Sequence, residues 1–356
     1  MKHSAWLALL RCPGLGPRRQ RILLQQWGSA EACFGVRHPE LAAASQEWLR
    51  RDPDDCLTDA DRQWLASAGQ DLCTWFDDDY PPLLREIADP PMALFLRGQR
   101  ARLRDPLMAI VGSRNPTPVG NATARAFAEE LGNQGLVIVS GLAIGIDAAA
   151  HQGALHSGTI GVLGTGIDLI YPRENLDLAR AIPATGLIIS EQPPGTRIHR
   201  GLFPRRNRLI SGLCLGTLVV EAAENSGSLI TARLAMEQGR EVFAIPGSIH
   251  SPLARGPHRL IRDGAKLVET AQDILEELGP LFAASRTVAK VSREPEDSAE
   301  RQVWAALGQE TLSSEEIASR CGLTLPALSS ILLHMEIQGY IASCPGGRFC
   351  RLPNTN

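Results

Sequence analysis

Six short apolar runs in the middle of the chain constrain its fold more than any other feature. They are Leu107–Val111, Leu136–Val139, Thr159–Leu163, Leu187–Ile189, Thr217–Val220 and Glu241–Ile245. Stretches of helical composition separate most of them: Gly120–Gln134, Ile146–His156, Glu174–Ile182 and Leu229–Gln238. A strand that faces water on one side alternates apolar and polar residues, whereas these runs do not alternate. They read as strands of a parallel sheet covered by helices on both faces, an α/β doubly wound domain over about residues 106–278.

In such a sheet ligands bind beyond the carboxyl ends of the strands, so the residues that follow each run matter most. The first run leads to Gly112-Ser113-Arg114-Asn115 and the second to Ser140-Gly141 through Asp147. The third leads to Tyr171-Pro172-Arg173, and the fourth to Glu191 and then Arg197 to Gly212, RIHRGLFPRRNRLISG. The fifth leads to Glu221 and Ser226-Gly227-Ser228, and the sixth to Pro246-Gly247-Ser248.

The 197–212 segment holds five arginines in its first twelve residues, Arg197, Arg200, Arg205, Arg206 and Arg208, with no acid among them. The whole chain carries a net charge of −3, so the cluster is a local asymmetry and not the overall field. Five guanidiniums either pair with carboxylates brought from elsewhere or face a polyanion, because burying them unpaired loses hydration. Cations together with free N–H groups at helix starts hold phosphates. Several such loops on one edge point to a strand of nucleic acid rather than one nucleotide. The candidate contacts are Ser113, Arg114, Arg173, Arg205, Arg206, Asn207, Arg208, Ser226, Gly227 and Ser228, with Phe203 as a ring on which a base could stack. The Pro204–Ile210 segment reads as helical, so its arginines are not equivalent: some brace the loops and others reach out.

The chain has 356 residues, 44% hydrophobic and 21% charged, which is the size of two or three soluble domains. No apolar run is long enough for a membrane span, and the apolar N-terminal stretch is broken by Arg11. The eight cysteines form no C-x-x-C pair, which argues against zinc and disulfides and for a reducing cytoplasm. No Walker lysine motif and no dinucleotide fingerprint are present. Asp147 and His151 stand four apart, a spacing that fits a structural pair as well as a catalytic one, and no catalytic set stands out.

Outside the sheet, residues 1–70 read as a helical domain. Its helix, Pro13-Gly14-Leu15-Gly16 turn and second helix fit either a phosphate-binding helix-hairpin-helix or a plain helical hairpin. Residues 71–105 read as a connecting segment with two short possible strands, and 279–297 as a linker. Residues 298–356 read as a winged helix, whose recognition helix from Pro326 to Gln338 lacks Arg and Lys. That composition suits a protein contact at least as well as duplex readout.

From about Tyr80 to Leu278 the ordered motifs Gly112-Ser113-Arg114, Ser140 to Asp147, Gly164-Thr165-Gly166, Tyr171 to Asn175, Phe203 to Ile210, Val220-Glu221-Ala222 and Ser226 to Ala232 resemble the DNA-processing protein A (DprA/Smf) family. The resemblance implies an extended Rossmann-like domain with a SAM-like helical N-terminus and a winged helix. It implies binding of single-stranded DNA, loading of RecA recombinase onto it during natural transformation, a homodimer, no cofactor and no enzymatic activity. It also implies that Arg114 lies in the DNA pocket and that Arg173 stands where the family usually has lysine. Related nucleotide phosphoribohydrolases carry Pro-Gly-Gly-x-Gly-Thr before a glutamate. This chain has Glu221-Ala222-Ala223-Glu224 at the comparable place, which leaves that enzyme class as the alternative.

Overall fold

Every apolar run forms a strand. The computed structural model describes residues 2–279, 297–307, 312–337, 340–344 and 348–351. The strands are β1 (Gln70–Thr74), β2 (Ala93–Gly98), β3 (Leu107–Val111), β4 (Val137–Ser140), β5 (Thr159–Gly166), β6 (Leu187–Gln192), β7 (Gly216–Val219), β8 (Glu241–Ala244) and β9 (Lys266–Leu267). They make one nine-stranded sheet in the order β1-β2-β6-β5-β4-β3-β7-β8-β9. From β6 to β9 all neighbours run parallel, so the carboxyl ends share one edge. The order grows from β3 toward β6 on one side and toward β9 on the other. The crevice between β3 and β7 is therefore the topological switch point.

Successive residues of β3 supply opposite cores. Leu107, Ala109 and Val111 pack with Leu209, Ile210 and Leu213 on one face. Met108 and Ile110 pack with Ala124, Phe127 and Leu131 on the other. The helix Leu202–Leu213 thus covers the first face, and Pro118–Asn133 and Ile146–Gly153 cover the second.

Two stretches outside the expected sheet belong to it. Residues 71–105, read as a connecting segment, contribute β1 and β2, which extend the sheet antiparallel from β6. The N-terminal helices share a core with that extension: Leu7, Leu9, Leu24 and Leu49 cluster with Phe95, Leu142 and Ile188. Trp64 meets Phe95 edge-on at 5.3 Å, and Arg11 pairs with buried Asp61 at 2.6 Å while donating to the Pro194 carbonyl at 2.6 Å. The physical reason is that β2 buries both faces, and one of them would be bare without these helices. Residues 1–282 form one compact unit and 283–356 a second.

In the second unit, helices Ser298–Leu307, Ser314–Cys321 and Leu325–Ile337 enclose Val303, Leu307, Ile317, Leu328, Leu332 and Met335. Ser313 and Glu316 form a capping box at the start of the middle helix. A small sheet, β10 (Leu312–Ser313), β12 (Arg348–Arg351) and β11 (Ile341–Cys344), completes a winged helix. Most of the expected linker, 280–296, and the Pro345–Gly347 turn lie outside the described residues. Among the described residues no helix is long and apolar enough to cross a membrane.

Candidate nucleic-acid interface

The loops at the carboxyl edge are tied to one another by hydrogen bonds. The Ile146 N–H donates to the Ser113 carbonyl at 3.1 Å, joining the β3 and β4 loops. Asn175, buried, donates to the Leu142 carbonyl at 2.8 Å and joins β4 to β5. Gly195 N–H donates to Asp168 at 2.8 Å and joins β5 to β6. Asn207 donates to the Gly227 carbonyl at 3.4 Å, linking the arginine helix to the start of helix Gly227–Glu237. These ties join the five loops that follow β3 to β7 into a common frame.

The helix Leu202–Leu213 divides its arginines by periodicity. Leu209, Ile210 and Leu213 form its apolar stripe, and Arg206 lies on the same stripe three and four residues earlier. Arg206 is therefore buried, at 7% exposure. Its Nη1 donates to the Val162 carbonyl at 2.8 Å. The guanidinium presses on Gly141, where a Cβ would stand 1.9 Å from Nη1, so a side chain there would have to displace Arg206. Burial lowers the Arg206 pKa to about 10; Asp147 opposes that shift and Arg114 adds to it.

Arg208 is buried as well, at 9% exposure. It binds Glu191 at 2.5 Å, with Asp89 at 3.7 Å. Arg205 is exposed and shares Glu191 at 3.4 Å. Of the three adjacent arginines expected at DNA, Arg206 and Arg208 thus face inward, because the helix must bury one face and Glu191 supplies the counter-charge. Glu191 and Asp89 were missed as partners. The signal was present, since Glu191 stands two residues after the apolar run Leu187–Ile189, at the carboxyl end of β6.

Four other arginines are left outward. Arg114, Arg173, Arg197 and Arg200 are exposed, and none makes an ion pair among the described residues. Arg114 follows β3, Arg173 follows β5, and Arg197 and Arg200 follow β6. Ser113 is mostly buried, and its N–H donates to the Glu221 carbonyl at 2.6 Å. Ser226 caps the helix Gly227–Glu237, and its hydroxyl meets that of buried Ser228 at 2.7 Å.

Phe203 is half-buried against Gly164, and its ring lies 5.8 Å from that of Tyr171. Tyr171, 40% exposed, is the more open ring of the pair. It was not among the sequence-predicted contacts, although its place two residues before Arg173 could have signalled it.

Asp147 and His151 do not pair. Asp147 accepts the Gly141 and Ala143 N–H groups at 3.1 and 3.4 Å, while His151 meets Thr159 at 2.7 Å. Burial raises the Asp147 pKa and lowers that of His151 to about 3. The cluster braces the loop after β4. A group of Cys73, Asp77 and Asp79 could hold a cation by position, but Arg100 already binds both aspartates, at 2.7 and 2.6 Å. At the N-terminal turn, Gly14, Gly16, Arg18 and Arg19 line a cleft together with Asp89, a carboxylate that opposes phosphate there. The winged-helix segment Leu325–Ile337 contains no Arg or Lys and exposes Leu325 and Leu333.

A nine-stranded α/β sheet with a cationic carboxyl edge, joined in one chain to a winged helix, is the class that fold and site define. The family model for DNA recombination-mediator protein A matches residues 71–279, and the DprA winged helix domain model matches 288–347. The chain is 40% identical to Protein Smf of Escherichia coli K12 over 82% of each chain. It resembles the X-ray structure of DNA processing protein A from Streptococcus pneumoniae with a TM-score of 0.67 and 39% identity, over 77% of this chain and 97% of that one. DNA processing protein A from Helicobacter pylori, described for its single-stranded DNA binding mode, matches with a TM-score of 0.55 and 31% identity over 59% and 97%. This chain belongs to the DNA recombination-mediator protein A family of DNA-processing proteins.

Proposed function

We propose that the protein binds single-stranded DNA along the carboxyl edge of its sheet, with little sequence preference, and loads RecA recombinase onto that DNA as a non-enzymatic mediator in natural transformation. The observation that carries the reading is the division of the arginines. Arg114, Arg173, Arg197 and Arg200 are exposed and make no ion pair among the described residues, on loops that hydrogen bonds lock together. Such guanidiniums are available to phosphates without first breaking an internal ion pair. Tyr171, backed by Phe203, offers a ring to a base beside Arg173. The single-stranded DNA binding mode named for the Helicobacter pylori relative supports the same ligand. Self-association into a dimer and action on RecA rest on family membership.

Two experiments test this reading. Fluorescence anisotropy with labelled oligo-dT and a matched duplex, at two salt concentrations, is expected to show tighter binding of the single strand and loss with salt. A duplex preference overturns the ligand. Addition of the protein to RecA and oligo-dT coated with single-strand-binding protein is expected to speed filament formation. An unchanged rate overturns the mediator role.

A further inference from the structure

Glu221 holds both ends of the turn that carries Arg114. Its main-chain carbonyl accepts the Ser113 N–H at 2.6 Å. Its carboxylate accepts the Thr117 N–H at 2.8 Å and the Thr117 hydroxyl at 2.6 Å. Within the turn, the Asn115 N–H donates to the Ser113 hydroxyl at 3.1 Å. Thr117 in turn caps the 16-residue helix Pro118–Asn133, accepting the Gly120 N–H at 2.9 Å. A Cβ on Gly120 would come within 2.4 Å of the Glu221 carboxylate, so glycine is what lets the acid approach the helix start.

This is the crevice between β3 and β7, where the strand order reverses. A doubly wound sheet offers a ligand phosphate this place, with helix N–H groups and the positive end of the dipole aimed at it. Here the chain's own carboxylate lies at that helix start and accepts the N–H and hydroxyl of the cap residue Thr117, whose hydroxyl takes the Gly120 N–H. Arg114, between the two anchors, is left exposed.

Building on the single-stranded DNA reading, we propose that Glu221 is a positioning residue for DNA binding. It fills the switch-point phosphate position from within, and by pinning residues 113 and 117 it fixes Arg114 at the rim. A phosphodiester is then taken by Arg114 outside the crevice, where a continuous strand can pass, and not at the helix start, where only a terminal phosphate fits.

The test is a double-mutant cycle of Glu221→Gln and Arg114→Ala, read by oligo-dT anisotropy over a range of NaCl. Glu221→Gln is expected to raise Kd about fivefold. It is also expected to make the log–log salt slope shallower by about 0.7, the equivalent of one phosphate contact. In the Arg114→Ala background it adds nothing. Thr117→Val, which removes the hydroxyl donor to Glu221 and with it the helix cap on Gly120, gives a smaller shift of the same kind and carries the cycle if Glu221→Gln does not fold. An effect of equal size in both backgrounds, or none in the wild type, overturns the inference. Wild-type protein that fails to bind oligo-dT overturns the single-stranded DNA reading itself and this inference with it.

Discussion

Arg114 and Arg206 stand close enough for the charge of one to lower the pKa of the other, yet they serve opposite ends. Arg206 is buried, donates to a backbone carbonyl and faces the charge of Asp147. Arg114 is exposed and has no ion pair among the described residues. The same contrast separates Arg208, bound to Glu191, from Arg197 and Arg200. It teaches that a basic run is two things at once: some of its cations hold the loops in place, and the others are what those loops present.

The comparison breaks most visibly at Arg206. Arg206→Ala removes the donor to the Val162 carbonyl and the charge that opposes burial of Asp147, opens a cavity, and is expected to cost about 2–5 kcal/mol of stability, read from the denaturation midpoint. A variant as stable as wild type would show that Arg206 is not a brace. The next effect is on pH. Burial lowers the folded-state pKa of His151 to about 3 from the usual 6.5, so the unfolded chain binds the extra proton. Its contribution is therefore full above pH 6.5 and is lost as pH falls toward 3. Between pH 6.5 and 5 it amounts to about 2 kcal/mol. Asp147, with its pKa raised, acts in the opposite sense. Comparing wild type with His151→Asn in thermal melts at pH 7 and 5 isolates the histidine: the wild type should lose more stability on acidification.

On the presenting side, Tyr171→Ala is expected to weaken oligo-dT binding by roughly 1–3 kcal/mol, at unchanged salt slope. Phe203→Leu should do less, because Phe203 is the backing ring. A larger loss at Phe203 would reverse their roles. The smallest effect is expected from the winged helix. Ending the chain after residue 279 should leave single-strand affinity within about twofold, since the recognition segment Leu325–Ile337 has no Arg or Lys. A large loss would place DNA contacts there.

Much of the fold was legible because fully buried parallel strands leave uninterrupted apolar runs. All six became strands, ending within a few residues of their expected limits. The two-residue β9 was not legible, since Lys266–Leu267 is exposed and too short to show a pattern. Nor was the docking of residues 1–70 on β2, because local periodicity says which face is apolar but not what covers it. At the site, the edge and its exposed arginines could be read from the residues after each run. The inward turn of Arg206 and Arg208 followed from helix periodicity only in general terms. Which arginine braces depended on Gly141, Glu191 and Asp89, residues distant in sequence that only the folded sheet brings together.

The measurement closest to the central claim is the salt dependence of oligo-dT binding for wild type and Arg114→Ala, with stability measured on both. Phosphate pairing by four exposed arginines and a half-paired Arg205 predicts a wild-type log–log slope of about −3. Arg114→Ala should make it shallower by about 0.7 while changing stability by no more than about 0.5 kcal/mol. A salt-independent affinity, or an Arg114→Ala variant that unfolds easily and binds with an unchanged slope, would contradict the division between arginines that brace the edge and arginines that hold the strand.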